Sequence, residues 1–299
     1  MLSPLTYVQA VIMGLLQGVT ELFPISSLGH SVLVPSLFGW HNLVRAQSQS
    51  HSFFLAFIVG LHVGTALGLL AYYWRTWVGL FVGLGRQLRL ARDCGTSSLW
   101  RLNAPETNDR YRLLALLVVA SIPVGLVGVL FEKRFRVLFA KPLAAAIFLT
   151  INGVILLVGE QLRKGQGRHA RHQRLATMSP RSALLIGSSQ ILALFAGISR
   201  SGVSMVAGLI GGYDHEESAR FSFLLATPVI LAAGVLKLPD LFGPLGNGVR
   251  TQTLVGALCA AAASFVSVRF LVRWFTTKSL APFGFYCLAV GSFCVAHFA

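Results

Sequence analysis

Twice in this chain an apolar stretch breaks short of a comfortable bilayer crossing and resumes for only about ten residues, and both breaks carry the same polar pattern. A helix takes about 20 apolar residues to span the hydrocarbon core. Residues 5–22 are apolar but run into Gln17-Gly18-Val19-Thr20-Glu21-Leu22-Phe23-Pro24-Ile25-Ser26-Ser27-Leu28-Gly29-His30, and the apolar run beyond His30 is only about ten residues long. Residues 182–197 likewise lead into Gly197-Ile198-Ser199-Arg200-Ser201-Gly202 and a second short apolar run to Gly212. Superposed, Gln17 meets Gln190, Ile25-Ser26 meets Ile198-Ser199, and Gly29 meets Gly202. Two short helices joined by a polar break predict a hairpin that enters and leaves the membrane on one side. Irregular backbone at that depth is tolerated only when it is buried in protein or lines a watery cavity.

The remainder is ordinary membrane sequence. The chain is 55% hydrophobic and 12% charged, against about 25% charged in soluble proteins. Six apolar runs are long enough to cross, near 53–74, 111–131, 142–160, 217–236, 252–273 and 281–298. The expected fold is an all-α integral membrane protein with six spanning helices and two re-entrant helical hairpins in inverted-topology repeats. Residues 1–160 form the first repeat, with its hairpin near 5–40; 161–180 form a basic cytoplasmic linker; 181–299 form the second repeat, with its hairpin near 182–212. Residues 76–90 read as an interfacial helix or extension, 93–110 as a polar loop, and 163–181 as a strongly basic loop. No cleavable leader is expected, because the first apolar run starts at Leu5 without a basic segment before it.

A net charge of +15 suggests nucleic acid in a soluble protein. Here the basic residues lie between apolar runs, where topology and anionic headgroups account for them, and no nucleic-acid partner is expected. If each cluster is a hairpin tip and each run crosses once, 17 of the 25 lysines and arginines share a side, 7 take the other, and Arg200 stays in a tip. The basic side is then cytoplasmic. The first hairpin enters from outside and the second from inside, and both termini lie outside. Phe57–Gly68 and Phe223–Gly234 follow their hairpins at similar distances, a second trace of the repeat. Broken helices of inverted repeats commonly meet near the midplane. Cys94, Cys259, Cys287 and Cys294 form no CxxC pair, so packing rather than metal or disulfide explains them.

The two tips hold complementary chemistry. Glu21 is one of only ten acidic residues, and His30 can donate, accept or shuttle a proton. Ser26, Ser27, Ser199 and Ser201 supply hydroxyls, and Arg200 offers a fixed fork for phosphate oxygens. Gly29, Gly197 and Gly202 allow close backbone approach, and helix N-termini after Ser27 and Ser201 would aim N–H groups at an anion. Alone, a Ser-Ser pair in a membrane helix often bonds only backbone, and a lone Glu can pair with an Arg for structure. Together on two matching breaks they describe a phosphate site with a nucleophile or water activator attached.

The motif Gln-Gly-x-Thr-Glu-x-x-Pro-Ile-Ser-Ser-x-Gly-His, Gln17 to His30, resembles the first signature of the bacterial undecaprenyl-diphosphate phosphatases of the bacitracin-resistance type. Gly197 to Gly202 resembles the second, Pro-Gly-x-Ser-Arg-Ser-Gly. The resemblance covers the whole chain. It implies a multi-pass enzyme of the bacterial inner membrane, its site open to the periplasm, that hydrolyses undecaprenyl diphosphate to the monophosphate carrier used in peptidoglycan synthesis. It also implies a divalent cation, magnesium or calcium. By motif, Glu21 would bind the metal or position water, Ser27 is the favoured nucleophile, and His30 is acid/base or itself the nucleophile. Arg200 would hold the diphosphate with Ser26, Ser199 and Ser201, and Gln17, Gly29 and Gly202 complete the binding set. Physics leaves the attacking group open among Ser27, His30 and water. Expected partners are a polyprenyl diphosphate lipid and membrane lipids, with a second copy in a homodimer as a further candidate. The chain departs from the pattern at Ala196, where the family has Pro, and at Val203 and Ser204, where it has Ala and Thr. Losing the Pro is expected to loosen the lead into the second tip.

Other residues read more plainly. His62 reads as a packed, hydrogen-bonded histidine and His51 as interfacial. His169 and His172 belong to the solvated basic loop, and Asp214-His215-Glu216-Glu217 marks a helix start. Trp74, Trp77, Trp100 and Trp274 fit an interfacial belt. The rival from another class is a secondary transporter or flippase of a phosphorylated lipid, since inverted repeats with broken helices are also transporter architecture.

Overall fold

A computed structural model of the chain describes residues 5–49, 52–99, 101–102, 104, 107–139, 141–165 and 175–299, with backbone only at 48 and 132–139. His51, Trp100, Arg168, His169, Arg171, His172 and Arg174, and the side chains of Lys133, Arg134 and Arg136, lie outside the described residues. In chain order the helices are α1 Tyr7–Thr20, α2 Ser27–Leu37, α3 His41–Ser48, α4 Phe53–Tyr72, α5 Trp74–Cys94, α6 Asp109–Phe139 and α7 Pro142–Gly165. They continue as α8 Pro180–Ser189, α9 Arg200–Ile210, α10 His215–Lys237, the short α11 Pro239–Phe242, α12 Arg250–Trp274 and α13 Ala281–Phe298. No strand occurs among the described residues.

Six stretches are long and apolar enough to cross a membrane: Phe53–Tyr72, Asp109–Phe131, Pro142–Gly165, His215–Phe242, Arg250–Trp274 and Ala281–Phe298. These match the six expected runs, and the chain is a multi-pass membrane protein. Their outward faces are apolar at Leu126, Val129, Leu258 and Phe293, as lipid contact requires. A bend at Tyr73 separates α4 from α5. One face of α5 is buried through Trp77, Leu80 and Gln87, while Val78, Phe81 and Val82 point outward. Trp77 therefore packs inward rather than joining a belt with the exposed Trp74.

Local signals start the helices. Thr6 caps α1 in a reciprocal box with Gln9. Ser179 caps α8 with Pro180 behind it, and Asp214 caps α10 with Glu216 and Glu217 in its first turn. Small residues then let backbones meet, because lipid supplies no hydrophobic drive between helices. A Cβ on Gly14 of α1 would stand 2.2 Å from the Gly256 carbonyl oxygen of α12. One on Gly187 of α8 would stand 2.1 Å from that of Ala120 on α6.

Two apolar clusters mark opposite ends of the bundle. Leu5, Leu43, Phe57, Leu241 and Val249 gather at one. Trp77, Leu116, Leu175, Ala183, Tyr213 and Phe221 gather at the other. The pair α1–α2 has its open end in the first cluster, where Tyr7 bonds Thr251 and Gln9 bonds Asn42. The pair α8–α9 has its open end in the second. Between them a central cluster containing Leu22, Ile25, Leu149, Ala196 and Phe223 joins the two turns.

Candidate active site

The two turns touch through Ser26. Its backbone has φ 69°, on the left-handed side that a side chain rarely adopts. The conformation is held because the Ser26 hydroxyl accepts the N–H groups of Gly29 and of Gly197, each at 3.2 Å. Gly197 itself has φ +113°, and a Cβ there would lie 2.4 Å from the Ala145 carbonyl oxygen. Asn152 of α7 ties both turns: its Nδ2 donates to the Pro24 carbonyl at 2.9 Å, and its Oδ1 accepts the Ser199 N–H at 2.9 Å.

The helix starts differ from expectation. α2 begins at Ser27 and α9 at Arg200, with Ser26 and Ser199 as caps. The Gly29 and Gly202 N–H groups in these first turns donate to those cap hydroxyls. The Ser199 and Ser201 hydroxyls lie 3.0 Å apart, and Ser201 also donates to the Phe23 carbonyl. Two of the departures from the motif are absorbed: Ala196 is buried in the central cluster, and Ser204 donates to the Arg200 carbonyl at 2.8 Å.

Glu21, the C-cap of α1, is the hub. Its Oε1 accepts from Arg200 Nη2 at 3.0 Å and Nε at 3.3 Å. Its Oε2 accepts from the Ser27 hydroxyl, from Gln17 Nε2 at 3.1 Å, and faces His62 Nε2 at 3.2 Å. His62 Nδ1 lies 2.8 Å from the Ile58 carbonyl, so both ring nitrogens face acceptors and only the doubly protonated ring satisfies both. Arg200 Nη1 and Gln17 Oε1 are buried without a partner, free valences in an otherwise satisfied cluster.

His30 is placed elsewhere. Its Nδ1 donates to the Ser26 carbonyl at 2.7 Å, which leaves Nε2 to accept from the Tyr286 hydroxyl at 2.9 Å. Glu21, Ser26, Ser27, His62, Gln190, Ser199 and Arg200 line an open cavity of about 270 Å³; His30, Ser201 and Gln17 do not. The remaining wall is apolar, through Leu55, Ile58 and Val59 of α4, Val124 of α6, and Val229 and Ile230 of α10. One end thus presents a carboxylate, a hydroxyl and guanidinium N–H groups, and the rest suits a hydrocarbon chain. No group of three or more His, Cys, Asp or Glu side chains poised for a metal occurs among the described residues.

The sequence reads His62 only as a packed, hydrogen-bonded histidine and does not mark Asn152 or Tyr286 at all. Each sits on a long apolar helix, and a polar residue recurring on the tip-facing side of such helices was the available signal. His215, read only as part of a helix start, also has a partner, Glu160 of α7 at 2.8 Å.

Fold and site together define a polytopic helical membrane protein whose paired carboxylate and guanidinium sit beside a serine at the head of an apolar cavity. The family model for Bacitracin resistance protein BacA matches residues 10–293. The chain is 45% identical to undecaprenyl-diphosphatase 2 of Frankia alni over 99% of this chain and 98% of that protein. It is 47% identical to the undecaprenyl-diphosphatase of Mycolicibacterium paratuberculosis over 97% of each, and 42% identical to undecaprenyl-diphosphatase 2 of Chromobacterium violaceum over 95% and 96%. The chain belongs to the bacitracin resistance protein BacA family.

Proposed function

We propose that the protein is an undecaprenyl-diphosphate phosphatase, releasing inorganic phosphate and the lipid monophosphate. The observation that carries this is the meeting of Glu21 and Arg200, 179 residues apart in sequence, beside Ser27 at the polar end of an otherwise apolar cavity. The unpartnered Arg200 Nη1 binds the terminal phosphate oxygens. Ser27 attacks the terminal phosphorus as its proton passes to Glu21 Oε2, its hydrogen-bond partner. The bond from that phosphorus to the bridging oxygen breaks, and the lipid monophosphate leaves with the electron pair and, through Glu21, the proton. Water, deprotonated by Glu21, then releases phosphate from Ser27, which regains its proton. Ser27 is preferred to His30 because Ser27 lines the cavity and bonds the carboxylate, whereas His30 is held by Ser26 and Tyr286.

The donor set fits a magnesium or calcium ion shared with substrate, but not a preformed cage. Glu21 is the one carboxylate lining the cavity, with the Ser27 hydroxyl beside it as a further hard oxygen donor. Bound there, such an ion supplies positive charge to the phosphate oxygens during transfer. We also read both hairpins as re-entrant and the halves as inverted repeats in a bacterial inner membrane, the cavity opening outward. The opposite open ends of the hairpins support this. So does the charge split, with Arg112, Arg163, Arg181 and Arg220 at the Trp77 end and Arg45, Lys237 and Arg250 at the other.

The test is phosphate release from undecaprenyl diphosphate by purified protein, with and without chelator. Release that depends on Glu21 and Arg200, with thermal unfolding unchanged in Glu21→Gln and Arg200→Lys, is the expected result. No release by the wild-type protein, or wild-type release by both variants, refutes the reading.

A further inference from the structure

At the Trp77 end of the bundle a second cavity, of about 360 Å³, lies between the first turns of α5 and α6, the Leu175–Thr177 turn and α10. Three arginines line it, Arg75, Arg110 and Arg220, against one carboxylate, Asp109. Among the described residues none of the three guanidiniums makes a hydrogen bond or ion pair; Arg75 only stacks over the Trp74 ring, 5.4 Å from its centroid. Three other arginines of this fold are tied down instead. Arg112 donates to the Met178 carbonyl, Arg163 bonds His215, and Arg250 donates to the carbonyls of Leu241, Phe242 and Gly243.

The position concentrates positive potential. Arg75 is the second residue of α5 and Arg110 the second of α6, each near the positive end of its helix, where a cation opposes the dipole. α5 has no acidic residue in its first turn to offset this. Such a site is completed by an anion, and planar guanidinium forks match phosphate oxygens. The floor is apolar, with Leu80, Leu113 and Leu175. Beside it α5 turns Val78, Phe81 and Val82 outward, so the cavity sits where this helix meets lipid.

We propose that this cavity binds the phosphate of a membrane lipid. That phosphate belongs either to an anionic phospholipid or to a polyprenyl monophosphate; the second source rests on the reaction proposed above, the first does not. The test is native mass spectrometry of the full chain in detergent, titrated separately with phosphatidylglycerol, a polyprenyl monophosphate, phosphatidylcholine and inorganic phosphate. The comparison is with Arg75→Gln, Arg110→Gln and Arg220→Gln combined. The expected result is at least tenfold weaker retention of phosphatidylglycerol or of the polyprenyl monophosphate by the triple variant, with phosphate release at the Glu21 site unchanged. Whichever of the two binds more tightly names the source. Equal retention by wild type and variant overturns the proposal. So does an equal loss of phosphatidylcholine, or displacement of the lipid by inorganic phosphate at matched concentration. If the triple variant does not fold, Arg75→Gln and Arg220→Gln are read singly, each expected to weaken retention about threefold, and no change in either overturns it.

Discussion

The hairpin α1–α2 and the hairpin α8–α9 are built on one plan and carry different chemistry. Each begins on a capped turn, at Thr6 and at Ser179. Each presses a glycine on a neighbouring backbone, Gly14 on Gly256 and Gly187 on Ala120. Each caps its second helix with a serine that accepts the N–H three residues on, Ser26 from Gly29 and Ser199 from Gly202. The plans part at the tips. The first residue of the second helix is Ser27 in one and Arg200 in the other. α1 stays helical to Thr20, so Gln17 reaches Glu21 one turn on, while α8 gives way at Ser189 to a 3₁₀ turn, Gln190–Leu194. Ser26 is strained at φ 69° where Ser199 is relaxed at φ −84°. A shared scaffold therefore aims two loops at one point, and a few tip residues suffice to place a carboxylate and a hydroxyl on one and a guanidinium on the other.

The strongest way to break this comparison is to exchange activity for structure at the equivalent positions Ser27 and Arg200. Ser27→Ala and Arg200→Lys are each expected to lower phosphate release by about 10³-fold or more, measured on undecaprenyl diphosphate, while Ser201→Ala stays within about tenfold. Loss at only one of the first two would mean that a single tip carries the chemistry.

Next in size is the scaffold itself. Gly14→Ala and Gly187→Ala drive a methyl into a backbone carbonyl, and each is expected to cost about 3 kcal/mol, read as a drop in thermal midpoint in detergent. Unequal losses would show that the two hairpins are not braced alike. Smaller again is the cap asymmetry. Ser26→Ala removes an acceptor that bridges the two tips and keeps the strained backbone, for about 2 kcal/mol; Ser199→Ala removes a cap bond and a contact with the Ser201 hydroxyl, both within its own tip, for about 1 kcal/mol. Equal costs would remove the claim that Ser26 is the bridge between tips. Smallest are Thr6→Ala and Ser179→Ala, each about 0.5 kcal/mol and confined to faster amide exchange in the first turns of α1 and α8.

Much of this was legible in the chain. The six crossing helices follow from apolar run length, because each run satisfies its own backbone and needs only lipid around it. The two breaks were legible for the same reason, since neither half is long enough to cross. Glu21, Ser27 and Arg200 stood out as polar groups in apolar surroundings, and they do converge. His30 did not join them, although it is close to Ser27 in sequence, because its ring is turned to Ser26 and Tyr286. His62 did join them, although it read as packing, because α4 lies against the tip and presents that one residue to Glu21. The same holds for Asn152, whose partners Pro24 and Ser199 lie 128 and 47 residues away.

By itself, then, the sequence determined what each segment can do alone: which runs enter lipid, where they break, and which few polar groups are placed at cost. Those properties depend on solvation and short-range hydrogen bonding, which neighbours in the chain supply. The tertiary structure decided which of those polar groups meet. That choice rests on the contact of Gly197 with Ser26 and on the closeness of helices at Gly14 and Gly187, packing events that no local pattern encodes.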